Sequence, residues 1–588
     1  MNYKLSRADA VQERQKGVLS TAMKRLLPLM KGEMRAVTIA LISIVITSGA
    51  TLVAPLLIAH TVDVYIENKN FNGILLFSGI LLLIYIAGAI FNYIQVRTMG
   101  GMGRRVLFNL RNAILNKLEE LPVAFFNQNK AGDLISRINN DTDKLNQFFA
   151  QALMQFVSNG VLIFGTGVFI LVINIRLGAA SLVPALVVLV LTFILSPWVN
   201  RTSLRSLRTL GGMSGEIQES LNNFKVIVAF NRLDYFRTKF KEANETNYGA
   251  SITAGIASNT FTPLYTFAST VAQLIVLAYG IYLISAGSFT IGLLIGFILY
   301  VNNFYNPLRQ LASVWSSLQL ALAGLDRISE VLALESDMHV IPEGATTDSG
   351  AVLTFDHVSF GYPDGKEVLH DVNFTLEKGK TYALVGPTGG GKTTTASLMA
   401  RLYDPTKGTV YLSGKDIRSY PADVRAKKIG FILQEPFLFS GTVKENILYG
   451  NEEYKDYTNE QVTTLLEKSN LNGLLARFSE GLETKVTSSS DGISLGQKQL
   501  IAFMRAALRE PELLILDEAT ANIDTVTEQL LEDILKKLPT STTRIIIAHR
   551  LNTIENADEI FFVNGGEVTK AGTMQQAVDM LLHGKRQS

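Results

Sequence analysis

The feature that most constrains this chain is where its charged residues are missing. No Asp, Glu, Lys or Arg occurs in 36–62, 70–96, 145–175 or 177–200, nor anywhere across 246–308. A helix that crosses a bilayer needs about 20 largely apolar residues, and a central Lys, Arg or Asp costs about 2.5–3.5 kcal/mol on insertion scales. Gaps of this length therefore read as membrane spans rather than as buried helices of a large soluble core. The last gap has room for two spans, divided at Ser285-Ala286-Gly287-Ser288, small residues that favour a turn. Six helices are expected, near 36–59, 71–96, 148–174, 177–199, 256–284 and 289–315.

Basic residues in the connections set the orientation, because an excess of Lys and Arg marks the cytoplasmic side. Residues 1–35, 97–144 and 200–245 hold eight each, whereas the opposite connections carry Lys69, Arg176 and none. Both termini are thus expected in the cytoplasm, in a multi-pass protein of the cell (inner) membrane. The N-terminus lacks the short apolar region and cleavage site of a removable signal peptide. Instead Leu19, Met23, Leu26, Leu27 and Met30 recur at helical spacing among Lys24, Arg25 and Lys31, the pattern of a helix lying on a membrane surface. The two long basic connections carry helical periodicity, as in Val106, Leu110, Ile114 and Leu118, and are expected to continue the spans beyond the membrane. Each is expected to end in a short segment that touches a cytoplasmic partner, one from Phe125-Phe126 to Asp133 and one at 220–225.

Charged residues make up 18% of the chain against roughly 25% in soluble domains, and the deficit lies in these gaps. The formal net charge of +2 gives no global field for nucleic acid, which is not expected as a partner. The absence of cysteine excludes disulfides and thiolate metal sites. After Asp326 the composition shifts, and the Pro, Gly, Ser and Thr between 335 and 350 read as a linker. The expected organisation is a transmembrane domain over 1–330, a linker over 331–349 and an α/β domain over 350–588. In the last, short β-rich or apolar runs at Thr381-Val385, Ile429-Leu433, Leu513-Asp517 and Arg544-Ala548 alternate with helical stretches, which predicts a largely parallel sheet.

Gly386-Pro387-Thr388-Gly389-Gly390-Gly391-Lys392-Thr393 fits the phosphate-binding loop G-x-x-x-x-G-K-[ST]. A strand runs into it and a helix leaves it, so glycine N–H groups and a helix N-terminus face a triphosphate. Lys392 is expected to reach the β- and γ-phosphates and the Thr393 hydroxyl to bind Mg²⁺; Thr388 and Thr394 complete the expected nucleotide-binding set. Downstream, Leu513-Leu514-Ile515-Leu516-Asp517-Glu518 ends in two carboxylates. Asp517 suits the Mg²⁺ shell and Glu518 suits a general base for the attacking water. His549, at the end of another strand, is expected to donate to the γ-phosphate or to hold Glu518.

These residues resemble the ATP-binding cassette (ABC) transporters, specifically exporter-type (type IV fold) half-transporters of the bacterial multidrug or lipid exporter kind, with six transmembrane helices fused to one P-loop nucleotide-binding domain. The resemblance covers nearly the whole chain. It implies that Tyr362 in Phe360-Gly361-Tyr362-Pro363 stacks on adenine, and that Gln434 in Leu433-Gln434-Glu435 reaches Mg²⁺ and takes part in catalysis. It also makes Ser494-Leu495-Gly496-Gln497 the signature sequence and Ala521-Asn522-Ile523-Asp524 the adjoining interface segment. Phe125-Phe126, Gly132-Asp133, Arg137 and Asp141 look like the family's first cytoplasmic loop. In this family each ATP lies between one chain's phosphate loop and another chain's signature, so Ser494, Gly496 and Gln497 are expected to complete a partner's site.

Departures from the family pattern fall on the signature side. Leu495 replaces the first glycine of L-S-G-G-Q, Ser488 stands where exporters of this type usually have a glutamate, and Ala521 stands where Ser is usual. Lys392, Asp517, Glu518, Gln434 and His549 are intact. The combination reads as one half of a heterodimer, with a homodimer that tolerates Leu495 as the alternative. The expected function is ATP-driven export by alternating access. An importer with the exporter fold and an ATP-gated regulator that does not transport are the rival readings. The spans contain almost no ionisable group, which favours a hydrophobic drug, lipid or peptide as cargo. Asn92, Gln95, Asn159, Gln273, Asn302, Asn303 and Asn306 are candidates for lining a cavity or for bonding between helices, the commoner role.

Overall fold

A computed structural model of the chain describes residues 3–5, 27–342, 344–347, 350–363, 365–487, 493–517, 525–547, 557–572 and 574–583. Its contacts divide the chain into two compact units. One comprises Leu5–Glu119 and Ala131–Ala333, the other Met1–Lys4, Glu120–Lys130 and Leu334–Ser588.

The first unit is built of long helices: α1 (Lys31–Ile66), α2 (Phe71–Glu120), then, after the short α3 (Val123–Gln128) that clusters with the other unit, α4 (Ala131–Ile173), α5 (Ile175–Asn222), α6 (Phe224–Ala229), α7 (Leu233–Ser285) and α8 (Ile291–Leu332). Six of them are long and apolar enough to cross a membrane. The helices outrun the charge-free gaps. A 48-residue helix such as α5 is about 70 Å long, more than twice the roughly 30 Å hydrocarbon thickness. The basic connections are thus largely helical continuations of the spans. Exposed Phe164, Val172 and Phe193 give the bundle an apolar exterior, as expected of a surface that meets lipid rather than water.

Polar groups inside the bundle bond between helices. Gln273 Nε2 donates to Asn302 Oδ1 at 2.9 Å, and the Tyr305 hydroxyl donates to the Ser181 carbonyl at 2.8 Å. Asp63 caps the start of α8: its carboxylate accepts from Thr290 Oγ1 at 2.6 Å and from the Gly292 N–H at 2.7 Å. On α4, Asp133, Arg137 and Asp141 are spaced four apart and meet α8. Arg137 donates to Asp133 at 3.0 Å, to Glu330 at 2.8 Å and to the Arg327 carbonyl at 2.6 Å, while Arg327 pairs with Asp141 at 2.8 Å. Arg137 is 1% and Asp141 0% exposed, so each charge is held by partners rather than by water.

The second unit carries two main sheets. A four-stranded antiparallel sheet has the order β2-β1-β4-β5, from β1 (Leu353–Gly361), β2 (Glu367–Leu376), β4 (Lys407–Leu412) and β5 (Lys415–Asp416). A six-stranded sheet has the order β12-β11-β3-β10-β9-β6, from β3 (Thr381–Val385), β6 (Ile429–Ile432), β9 (Leu513–Asp517), β10 (Thr543–Ile547), β11 (Glu559–Asn564) and β12 (Glu567–Gly572). Its strands from β11 to β6 are parallel, and only β12 is antiparallel. The short β7 (Gly441–Thr442) and β8 (Lys485–Val486) pair separately. Both faces of the parallel sheet are covered. Leu513 and Ile515 pack with Phe355, Phe374 and Phe561, whereas Leu514 and Leu516 pack with Leu500, Ile501 and Met504. That two-sided burial explains why β9 is an unbroken apolar run. The run expected as a linker is laid along the cassette: Ile341 N–H bonds the Arg418 carbonyl at 3.1 Å, and Thr347 N–H bonds the Gly414 carbonyl at 2.8 Å.

Candidate functional site

Strand β3 ends at buried Val385 and the chain turns through 386–391 into α9 (Lys392–Met399). The turn requires glycine. Gly386 has φ +148° and Gly391 φ +115°, and a Cβ on Gly386 would lie 2.0 Å from the Val563 carbonyl oxygen. The loop is therefore pressed under β11 with its tip, Pro387 to Gly389, exposed. Lys392 is 5% exposed and donates to the carbonyls of Gly386 at 2.9 Å and Pro387 at 3.1 Å. Its ammonium is thus curled into the loop that its backbone forms. The Thr393 hydroxyl lies 3.5 Å from Asp517 Oδ1, and Asp517 is 2% exposed at the end of β9. These residues fit a nucleotide triphosphate with a divalent cation: an N-terminal helix turn free of side-chain bulk, a lysine, and a hydroxyl beside a carboxylate, all at the carboxyl ends of parallel strands.

Other expected residues gather around this edge. The Tyr362 hydroxyl is 3.1 Å from Thr394 Oγ1, in the first turn of α9. Its ring stands edge-on to Phe360 at 5.0 Å and to Tyr403 at 5.4 Å. Gln434 lies exposed two residues beyond β6, the strand that pairs with β9. The segment after it is held by Arg505, which donates to the Phe437 carbonyl at 3.1 Å and to the Asn446 carbonyl at 2.8 Å. Burial holds that guanidinium below its ordinary pKa.

Arg505 belongs to α10 (Leu495–Ala507), the helix that follows the run expected to be the signature. Ser494 is its N-cap: the Ser494 hydroxyl accepts from Gln497 N–H at 3.2 Å, and Gln497 Oε1 accepts from Ser494 N–H at 3.0 Å. This reciprocal pair satisfies two helix-end donors. Gln497 also donates to the Arg477 carbonyl at 2.8 Å. Leu495 opens the helix with 38% of its surface exposed, so its isobutyl group stands at the end where a glycine would leave the backbone bare. Glu518, His549, the 521–524 segment, Ser488 and most of the amphipathic N-terminal run lie outside the described residues.

Residues that sequence reasoning missed come from far along the chain. Tyr403 accepts from Asn127 Nδ2 at 2.7 Å, and burial raises its phenol pKa. Tyr3 is 1% exposed, with its hydroxyl donating to Asp337 Oδ1 at 2.5 Å and its N–H donating to Gln128 Oε1 at 2.8 Å. Nothing local marks these pairs. The Asp133, Arg137, Asp141 spacing was a visible signal for the ion network, though not for its partners on α8.

A six-helix membrane unit on one chain with a phosphate-loop cassette defines an ATP-driven membrane transporter. Residues 37–308 match the family model of the ABC transporter transmembrane region, and residues 369–521 match that of the ABC transporter. The chain is 32% identical over 547 residues to the uncharacterized ABC transporter ATP-binding protein YfiC of Bacillus subtilis, covering 92% of this chain and 89% of that protein. It is 31% identical over 500 residues to a multidrug resistance ABC transporter ATP-binding and permease protein of Lactococcus lactis, covering 85% and 84%. It is also 31% identical over 495 residues to a fatty acid ABC transporter ATP-binding/permease protein of Mycobacterium tuberculosis, covering 84% and 77%. The chain belongs to the ABC transporter family. It is a multi-pass, exporter-type protein that binds ATP and couples its hydrolysis to transport.

Proposed function

We propose that the chain exports a hydrophobic or amphipathic molecule, whether drug, lipid or peptide, as one half of a dimer. The observation that carries the nucleotide roles is the joining of Thr393 to Asp517 beside the Lys392 loop. Lys392, the loop N–H groups and Thr388 to Thr394 bind the triphosphate, and Tyr362 stacks on the base. Thr393, Asp517 and Gln434 hold Mg²⁺, which when bound neutralises charge on the β- and γ-phosphate oxygens. Glu518 takes the proton of the attacking water, and His549 donates to the γ-phosphate or holds Glu518. Ser494, Gly496 and Gln497 complete the partner chain's site from the N-terminus of α10. Residues 1–330 form the translocation domain and 350–588 the motor, with the motor and both termini in the cytoplasm.

Relatives named for multidrug resistance and for fatty acid support an apolar cargo, as does the lack of charge in the spans. Leu495 supports a heterodimer in which the partner supplies the intact signature. Inverted membrane vesicles containing the chain and its co-purifying partner, supplied with ATP and a lipophilic fluorescent dye, test the direction. ATP-dependent accumulation that Glu518→Gln abolishes is the expected result. Accumulation only in intact cells would reverse the direction. A chain that purifies alone as a dimer with full dye-stimulated ATPase would contradict the heterodimer.

A further inference from the structure

We infer that Tyr403 is a positioning residue through which α3 sets the ring of Tyr362 and with it the grip on the nucleotide base. This rests on Tyr362 being the residue that stacks on the base, the role proposed for it. Tyr403 lies four residues beyond the end of α9, and its hydroxyl accepts from Asn127 on α3 at 2.7 Å. Its ring meets Tyr362 at 5.4 Å and 88°, and Phe360 at 5.5 Å and 56°, while Phe360 and Tyr362 meet at 5.0 Å and 82°. The three rings close a triangle in which both pairs that Tyr362 makes are edge-to-face, an arrangement with a preferred geometry. Tyr362 is also tethered at its other end, where its hydroxyl meets Thr394. A shift of the Tyr403 ring therefore turns or displaces Tyr362 against a fixed point.

Asn127 comes from a well-held platform. Phe125 of α3 is fully buried and stands edge-on to Tyr3 at 6.5 Å. Asn129 Nδ2 donates to the carbonyls of Phe125 at 2.8 Å and Tyr3 at 3.0 Å, and Tyr3 in turn bonds Gln128 and Asp337. With α3 pinned by these bonds, its one amide donor to Tyr403 moves only when the segment moves as a body. The state of α3 is thereby registered at the base, separately from the phosphates, which Lys392 and the glycine loop hold.

Equilibrium binding to the full-length protein, using two probes, tests this. MgATP reports base and phosphates together, and magnesium tripolyphosphate reports the phosphate loop alone. Tyr403→Phe keeps the ring and removes only the hydroxyl, and Asn127→Ala removes the donor. Each should raise the Kd for MgATP about three- to tenfold, the span of one lost hydrogen bond. The double variant should be no weaker than the worse single, and tripolyphosphate binding should be unchanged throughout. An unchanged Kd for MgATP in Tyr403→Phe, or an equal loss for both probes, would overturn the inference. Tyr362→Ala separates it from the role on which it rests: if that variant binds MgATP as the wild type does, the base-stacking role itself is wrong.

Discussion

At the scale of single residues, the strongest constraint in the membrane unit is the buried ion network. Asp141 is fully buried and faces Arg327 at 2.8 Å and Lys144 at 2.8 Å. Removing one member of such a group leaves a buried charge without its partner, which costs more than the intact group contributes. Asp141→Ala should therefore lower stability by about 3–5 kcal/mol, seen as a fall in the thermal unfolding midpoint in detergent. Asp143→Ala, which breaks only the exposed pair with Arg111, should change it little. Equal midpoints for the two variants would show that the network is incidental. Part of this network was legible: Asp133, Arg137 and Asp141 lie four apart, so they share a helix face. Arg327 and Glu330 were not, because nothing in their own neighbourhood indicates which helix they will meet.

At the scale of elements, the four strands read from the sequence, β3, β6, β9 and β10, all lie between the two cores of the parallel sheet, whereas β11, buried on both faces as well, was missed along with β1 and β2. β3 and β9 are continuous apolar runs, since each face meets a core. β1 is irregular: its pairing with β2 shifts register between Phe355 and Val358 and again before Phe360, so the alternation that announces a half-buried strand is broken. The phosphate loop was readable because its chemistry is local to eight residues. The Asn127 to Tyr403 bond spans 276 positions and has no local signature. Elements are also tied by charge. Glu512, just before β9, bonds Lys428 just before β6 and accepts from Ser413 beyond β4 at 2.6 Å. Burial alone would raise its pKa, but Lys428 and Ser413 outweigh burial and hold the carboxyl below its ordinary value. A depressed carboxylate contributes stability above its unfolded pKa and loses it as pH falls through the folded value. Glu512→Gln should accordingly lower the unfolding midpoint at pH 7 and leave it nearly unchanged at pH 3. A gap of the same size at both pH values would contradict the pairing.

At the scale of the whole molecule, the charge-free gaps and the phosphate loop together fix what the chain is: a permease and a motor on one polypeptide. The Ser494 to Gln497 run caps its own helix, and its Leu495 is exposed; in the proposed dimer this end would meet the partner chain's nucleotide. Under that proposal a single copy would carry the loop for one site and the signature for another. Chemistry localises to few groups in such a motor, so the decisive variants are few. In the proposed roles, Lys392 would hold phosphate in the ground state and in the transition state alike, whereas Glu518 would act only on the water. The most direct measurement is phosphate release from MgATP by the full-length protein with its co-purifying partner in lipid nanodiscs. Lys392→Ala and Glu518→Gln should each reduce turnover about 100-fold or more, with ATP binding lost in the first and kept in the second. Turnover that persists in either variant, or ATP binding that survives Lys392→Ala unchanged, would contradict the assignment of this site as the motor.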